Sequence, residues 1–312
     1  MHNDSKNRIE MGKRIDLDKD MVVNLYEIHK NAETVANIIG NISVSPVYRI
    51  LKELKVMEPG RRRYNINQDY FETIDTEEKA YWLGFLAADG TIRLRHGGAE
   101  KIKRGSSIVL KLAVKDKHHV DRFQKIFGIE SRITYHRDYT KTRKGEVSFS
   151  DNCKVSINSN KLIDDIIDKG VTPRKSATLD KPNIDSKYNS HFIRGYFDGN
   201  GNIGFTTKEG TTSSKQEVIK MFHLGIACFS TNFKNYLIEE LGKENITFKT
   251  SGDYSIVVTN MKDSVAFINY IYKDATILLE RKKEISDRIV DYYMNKKELA
   301  NEKSFIGSKA YH

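Results

Sequence analysis

The sequence predicts an α+β protein made of two pseudo-symmetric αββαββα units, each carrying a curved antiparallel sheet, behind a small all-α domain. Three observations carry that prediction. Trp82 to Gly90 and Ile193 to Gly201 match at a constant offset of 111 residues, pairing Gly84 with Gly195, Ala88 with Gly199, Asp89 with Asn200 and Gly90 with Gly201. Each match is followed by strand-like and helix-like stretches in the same order. Residues 20–56 have helical periodicity and no strand signal. With 312 residues the chain is long enough for several domains and a sizeable core.

Residues 20–56 read as three short helices in a domain spanning 1–58. Ala36 and Gly40 stand four apart, where a helix-turn-helix needs a small residue for packing and a glycine for its turn. Ser45 is expected as an N-cap with Pro46 at the first helical position, where its missing N–H is harmless. Val47, Ile50, Leu51 and Leu54 form the buried stripe of the next helix. Tyr48, Arg49 and Lys52 lie on its other face, as in a recognition helix reaching base edges or phosphates. The turn, Asn41 to Val44, is one residue longer than usual for that motif. A plain helical bundle is the competing reading. Residues 59–72 read as a linker, opened by Pro59 and Gly60 and carrying Arg61, Arg62 and Arg63, which suit a groove lined with phosphates.

From residue 73 the repeats follow, over 73–180 and 181–295. The first has a helix at 77–88, a hairpin of 91–96 and 107–114, a helix at 117–127, strands near 131–139 and 153–158, and a helix at 160–168. The second has a helix at 189–199, strands at 202–207 and 219–229, a helix at 232–242, strands at 246–250 and 254–259, and a helix at 262–273. Lys154 to Asn158 is read as parallel to Tyr254 to Val258, and basic pairs close the copies at Arg174-Lys175 and Arg281-Lys282. Residues 296–312 read as a loose polar tail. Small residues four apart on both motif helices (Gly84/Ala88, Gly195/Gly199) let two backbones approach, setting the helix ends side by side.

The formal net charge is +10, from 52 Lys+Arg against 42 Asp+Glu. Residues 93–144 alone hold fifteen Lys/Arg and five Asp/Glu, the whole of that imbalance. Strand-like runs there, with Tyr135 and Tyr139, favour a folded polyanion-binding face over a disordered basic tail. Cys153 and Cys228 lie in apolar stretches and read as two free thiols in a reducing compartment. The polar start excludes a signal peptide, and no apolar run reaches the ~18 residues of a membrane span. The expectation is a soluble cytoplasmic protein with no membrane contact.

The paired segments resemble the LAGLIDADG motif of homing endonucleases, and the repeat resembles their half-domain. The resemblance covers residues 72–290, and Ile74 to Tyr81 also resembles the lead-in of such members. It implies a monomer acting on double-stranded DNA, with no protein partner. It also implies Mg²⁺, with Mn²⁺ or Ca²⁺ as substitutes, and the last acid of each motif as metal ligand. That residue is Asp89 in the first copy, whereas the second copy offers Asn200. Cleavage of a phosphodiester needs an activated water and a stabilised leaving oxygen, which divalent ions supply. Mg²⁺ is satisfied by one or two carboxylates completed by phosphate oxygens and water. Asn200 offers a carbonyl without charge, so impaired cleavage is expected. Three explanations stay open, an engineered inactivating change, natural decay, or a natural nicking or binding-only protein; the otherwise intact second copy favours a deliberate or recent substitution, reversible by Asn200→Asp. Asp198 falls where the first copy has Ala87 and reads as a structural carboxylate. The resemblance also implies a basic residue near each centre, matched by Lys175 and Lys282.

Strand alternation nominates Arg93, Arg95, Lys111 and Lys115 as DNA contacts in the first copy. Thr207, Lys208, Lys220 and His223 are the candidates in the second. The rival class is a non-cleaving DNA-binding protein on the same scaffold, a transcriptional regulator or an intron maturase. Three apparent motifs are set aside. Gly199 to Gly204 spells a dinucleotide fingerprint with helix and strand in reversed order. His118 and His119 are adjacent on a helix and diverge. The Met-His-Asn start and Ala-Tyr-His end lack intein chemistry, so a free-standing or intron-encoded protein is expected.

Overall fold

The computed structural model describes residues 17–29, 32–40, 42–56, 66–94, 96–97, 101–102, 106–129, 133–142, 145–208 and 218–309. They form two compact units, divided between Tyr64 and Asn65.

The first unit holds α1 (Lys19–His29), α2 (Ala32–Gly40) and α3 (Val44–Glu53). Val22, Val35, Ala36, Val47, Ile50 and Leu51 form its own small core. The α3 stripe buries as its spacing predicts, except that Leu54 is 41% exposed. The helix ends at Glu53, and Leu54 is its C-cap. The N-cap is Ser43 rather than Ser45, with its hydroxyl accepting from the Ser45 N–H. Pro46 still falls in the first turn, where no intrahelical donor is lost. Gly40 has φ +150°, which supplies the turn.

The second unit begins inside the expected linker. Phe71 is fully buried and packs on Tyr70, which meets Phe127 edge-on. Residues 66–72 therefore belong to the body of the repeats.

The first repeat runs α4 (Glu77–Asp89), β1 (Gly90–Arg93), a small β2–β3 hairpin (His96–Gly97, Lys101–Ile102), β4 (Ser107–Ala113), α5 (Lys117–Lys125), β5 (Thr134–Lys141), β6 (Val147–Ile157), α6 (Asn160–Asp168) and the short α7 (Lys175–Thr178). The second runs α8 (Asn189–Asn200), β7 (Gly201–Lys208), β8 (Val218–Ala227), α9 (Thr231–Lys243), β9 (Lys249–Ser251), β10 (Ser255–Val258) and α10 (Met261–Tyr272). A long α11 (Glu280–Lys309) follows, so no break in secondary structure occurs at the expected tail boundary of 296. Its sequence holds i, i+4 support such as Lys283 with Asp287, and it buries Ile289.

The two four-stranded sheets have one topology. Their orders are β1-β4-β6-β5 and β7-β8-β10-β9, and every pairing is antiparallel. One face of each is apolar: Leu110, Leu112, Cys153 and Val155 in the first, Leu224, Ile226, Ile256 and Val258 in the second. The alternation also corrects the alignment of β6 with β10. Val155 and Ile157 bury like Ile256 and Val258, so Lys154 corresponds to Ser255, not Tyr254. A slip of one residue would turn every side chain to the wrong face.

Between the sheets, α4 and α8 cross in backbone contact. A Cβ at Gly84 would overlap the Phe192 carbonyl, 2.8 Å from its carbon. One at Gly195 would overlap the Tyr81 carbonyl oxygen and stand 2.8 Å from the Phe85 nitrogen. The crossing predicted from the small residues is thus present.

Candidate catalytic clefts at the crossed helix ends

Asp89 and Asn200 are the last residues of α4 and α8, before Gly90 and Gly201 turn the chain into β1 and β7. Helix C-termini concentrate unpaired carbonyls and partial negative charge, so two of them side by side attract cations. The late lysines answer that field. Lys175 Nζ donates to the Ala88 carbonyl at 2.8 Å. Lys282 Nζ donates to the carbonyls of Phe197 and Gly201, both at 2.6 Å, and lies over the Phe197 ring. Each lysine therefore caps the motif helix of its own repeat. Burial pushes both ammonium groups below the ordinary lysine range, Lys282 to about 8, against the opposing pull of nearby carboxylates.

Asp89 is partly exposed, and no hydrogen bond reaches its carboxylate among the described residues. Burial raises its pKa, while Lys282, Lys175 and Arg281 pull it back down. The carboxylate opens into a cleft of about 200 Å³, which is also lined by Lys111, Lys115, Asp116, Asp198 and Arg281. Asp198 is fully held: it accepts from the Leu279 N–H at 2.8 Å and from the Tyr81 hydroxyl at 2.9 Å. Burial pushes it up to about 6. Its structural role is as expected, but it lines the cleft of Asp89 rather than that of its neighbour Asn200. Asp116 accepts from Arg281 Nε at 3.0 and 3.2 Å.

Asn200 faces a different cleft of about 90 Å³, lined by Ala87, Lys175, Ser176, Tyr196, Phe229 and others. The Tyr196 hydroxyl in that cleft donates to the Ala227 carbonyl at 3.1 Å.

The donor sets of the two clefts differ. Asp89 offers a free carboxylate beside two helix ends, which fits a hard divalent cation seeking oxygen. No group of three or more His, Cys, Asp or Glu is gathered for a metal among the described residues, so water and substrate oxygens would complete the shell. The Asn200 cleft offers a neutral amide beside the cation Lys175. It does not fit a metal.

The expected DNA-contact residues are placed unevenly. Arg93 and Lys111 are exposed and share one face of the first sheet, since Arg93 pairs with Ser107 on the same parity, although Ser107 and Val109 on that face are buried. Lys111 is ion-paired with Asp138, which also accepts from Asn152. Lys115 lies past β4 in a 3-10 turn, Val114–Asp116, and points into the Asp89 cleft rather than along a strand. In the second sheet a bulge breaks the alternation. Thr206 opposes Met221 and Thr207 opposes Ile219, which leaves Lys220 as the extra residue. His223 is exposed above Gly204, with Nε2 3.1 Å from Asn202 Oδ1. Thr207, Lys220, Tyr48, Arg49 and Lys52 are exposed. Arg61, Arg62, Arg63 and Arg95 lie outside the described residues, as does the side chain of Lys208.

Sequence reasoning missed Asp116 and did not place Arg281 or Asp198 at Asp89. A signal existed for Asp116, an acid immediately before the α5 stripe, where N-caps sit. No short-range signal pairs it with a residue 165 positions away. Both cysteines are free and buried, as expected. His118 and His119 diverge as expected: His118 meets Glu280, while His119 turns inward to Tyr81. Among the described residues no helix is long and apolar enough to cross a membrane.

No family model matches the chain, and no curated protein matches it either. Among solved structures it is similar to a mutant of I-SmaMI, at 14% identity and TM-score 0.45, covering 72% of this chain and 94% of that one. It is similar to the LAGLIDADG meganuclease I-AabMI bound to uncleaved DNA, at 10% identity and TM-score 0.44, covering 70% and 91%. The LAGLIDADG homing endonuclease I-LtrWI bound to target DNA is also similar, at 13% identity and TM-score 0.45, covering 74% and 92%.

Proposed function

We propose that this chain is a site-specific, metal-dependent endonuclease of double-stranded DNA, of the LAGLIDADG homing type, with an N-terminal helix-turn-helix that lengthens its footprint. The observation that carries the reading is the unbonded Asp89 carboxylate at paired helix ends, flanked by two sheets of one topology. Basic side chains on the open sheet faces, Arg93 and Lys111 among them, bind phosphates and base edges. Lys115 and Arg281 line the Asp89 cleft and draw the scissile phosphate to it. Lys175 and Lys282 hold the terminal carbonyls of α4 and α8, fix the positions of Asp89 and Asn200, and set the field there. A bound Mg²⁺ would supply a more acidic water and charge stabilisation on the phosphate.

The poor fit of the Asn200 cleft to a metal favours a second reading, binding without cleavage. One experiment separates the two. Duplexes bound by the full chain are selected from a random pool, end-labelled, and incubated with the protein in Mg²⁺ or Mn²⁺. The expected result is cleavage within the selected segment, abolished by Asp89→Asn with binding retained. A native chain that holds its duplex uncut in both metals establishes the binding reading.

A further inference from the structure

The two clefts are equivalents under the internal repeat, which allows them to be compared residue by residue. The 111-residue offset pairs Asp89 with Asn200, Phe85 with Tyr196 and Ala87 with Asp198. Because α4 and α8 cross, each cleft is completed from the opposite motif: Asp198 lines the cleft of Asp89, and Ala87 lines that of Asn200. A further equivalence is the N-cap of the helix after the hairpin, Asp116 before α5 and Ser230 before α9. One cleft is therefore lined by three carboxylates, an unbonded Asp89, Asp198 held by Leu279 and Tyr81, and Asp116 held by Arg281. The other presents Asn200, Ala87 and Ser230 at the same three places.

The hydrogen bonding of the second cleft is closed on itself. Tyr196 lines it and donates its proton to the Ala227 carbonyl at 3.1 Å. Phe85, at the equivalent place in the first cleft, offers no such hydroxyl beside Asp89. Ser230 donates to the Leu179 carbonyl and accepts from the Phe233 N–H. Phe229, in ring contact with Tyr254 at 5.1 Å, lines the wall.

We infer that the chain has one cutting centre, at Asp89, and nicks a single strand of its target, the Asn200 cleft being built throughout as a non-catalytic one. This rests on the endonuclease reading above. It replaces the expectation of one recent substitution in an intact copy, because three positions and their hydrogen bonds differ together. Asn200→Asp alone then restores one carboxylate with no acid at 87 or 230, and opens no second cut.

The test uses the full chain on its selected duplex, with each strand labelled in turn, alongside titration of Mn²⁺ into the complex followed by electron paramagnetic resonance. The expected result is one bound Mn²⁺ per complex, lost in Asp89→Asn. One strand is cut, the second at least about 100-fold more slowly, and inverting the target moves the cut to the other labelled strand. Asn200→Asp, checked for folding by thermal unfolding, keeps one ion and one cut. Two ions per complex, comparable cutting of both strands by the native chain, or a second cut in folded Asn200→Asp overturns the inference and leaves the endonuclease reading standing. No ion and no cut overturns both.

Discussion

Replacing Gly195 by Ala tests whether one backbone contact sets both the stability of the molecule and the position of its candidate centre. The added Cβ would overlap the Tyr81 carbonyl oxygen and lie 2.8 Å from the Phe85 nitrogen and 2.9 Å from the Tyr81 carbon. Carbon atoms rest about 3.5 Å apart at closest optimal contact, so the helices must part by at least roughly 0.6 Å, and the oxygen demands more. Overpacking costs about 1–3 kcal/mol, and the upper end applies because the obstacle is main chain on both sides. The gain in helix propensity returns at most about 1 kcal/mol. A net loss near 2 kcal/mol lowers Tm by roughly 4–8 °C in a unit of this size. Parting α4 and α8 also moves Asp89, and a displacement of about 1 Å costs on the order of 100-fold in rate. Gly242→Ala is the matched control, because nothing lies within 4 Å of its Cβ position. It should be neutral or stabilising by up to about 1 kcal/mol. Calorimetry of both variants and cleavage assays well below their Tm make the comparison. If Gly195→Ala unfolds with Gly242→Ala and cuts at the native rate, the close crossing is not what fixes the site.

Three further outcomes follow from the same framework. His119, pushed down to about 3 by burial, and Asp198, pushed up to about 6, both bond Tyr81 and have opposite pH signatures. Below pH 6.5 the unfolded histidine takes a proton that the folded one refuses, so stability falls; between 6 and 3.8 folded Asp198 binds the extra proton, so stability rises. Asp198→Asn should therefore steepen the loss between pH 6 and 4 by up to about 1.4 kcal/mol per unit, and urea titrations with equal slopes for variant and native would contradict it. Lys282→Met should destabilise by about 2 kcal/mol through loss of its two bonds to the carbonyls of Phe197 and Gly201. It should also remove a rise in native stability from pH 8 towards 10.5, where unfolded lysine keeps a proton that folded Lys282 has released; chemical denaturation across that range reads it. Deleting residues 1–64 removes a unit with its own core and should shorten the protected DNA segment without abolishing central binding; an unchanged footprint contradicts the helix-turn-helix reading.

Much of this was legible in the sequence because it is local. The i, i+3, i+4 stripe of α3 and the glycines ending α4 and α8 each depend on neighbours within a turn. The crossing at Gly84 and Gly195 was legible for a different reason: small residues at a fixed offset announce close approach without naming the partner. The failures have physical causes. Ser43 and Ser45 are both acceptable caps, and only the path of the turn selects between them. The bulge at Lys220 breaks a parity that alternation assumes. Asp116 and Arg281 meet across 165 residues, and such a pair has no periodic signature. Asp198 was assigned its structural role from the linear motif, but its place beside Asp89 follows only once the helices cross.

The first turn of α11 has a consequence for how the molecule comes into being. Glu280 joins His118 and Arg122, Arg281 joins Asp116, and just upstream Thr276 and Ile277 close on Glu77, across 199 and 200 residues. On the ribosome, the first repeat emerges long before those partners exist. Its sheet can form early, because β4 and β6 lie close in sequence, but the wall of the Asp89 cleft is missing until residue 281 has been made. The Asp89 cleft therefore stays unfinished until nearly all of the chain has been synthesised, and a chain terminated before residue 281 lacks that wall.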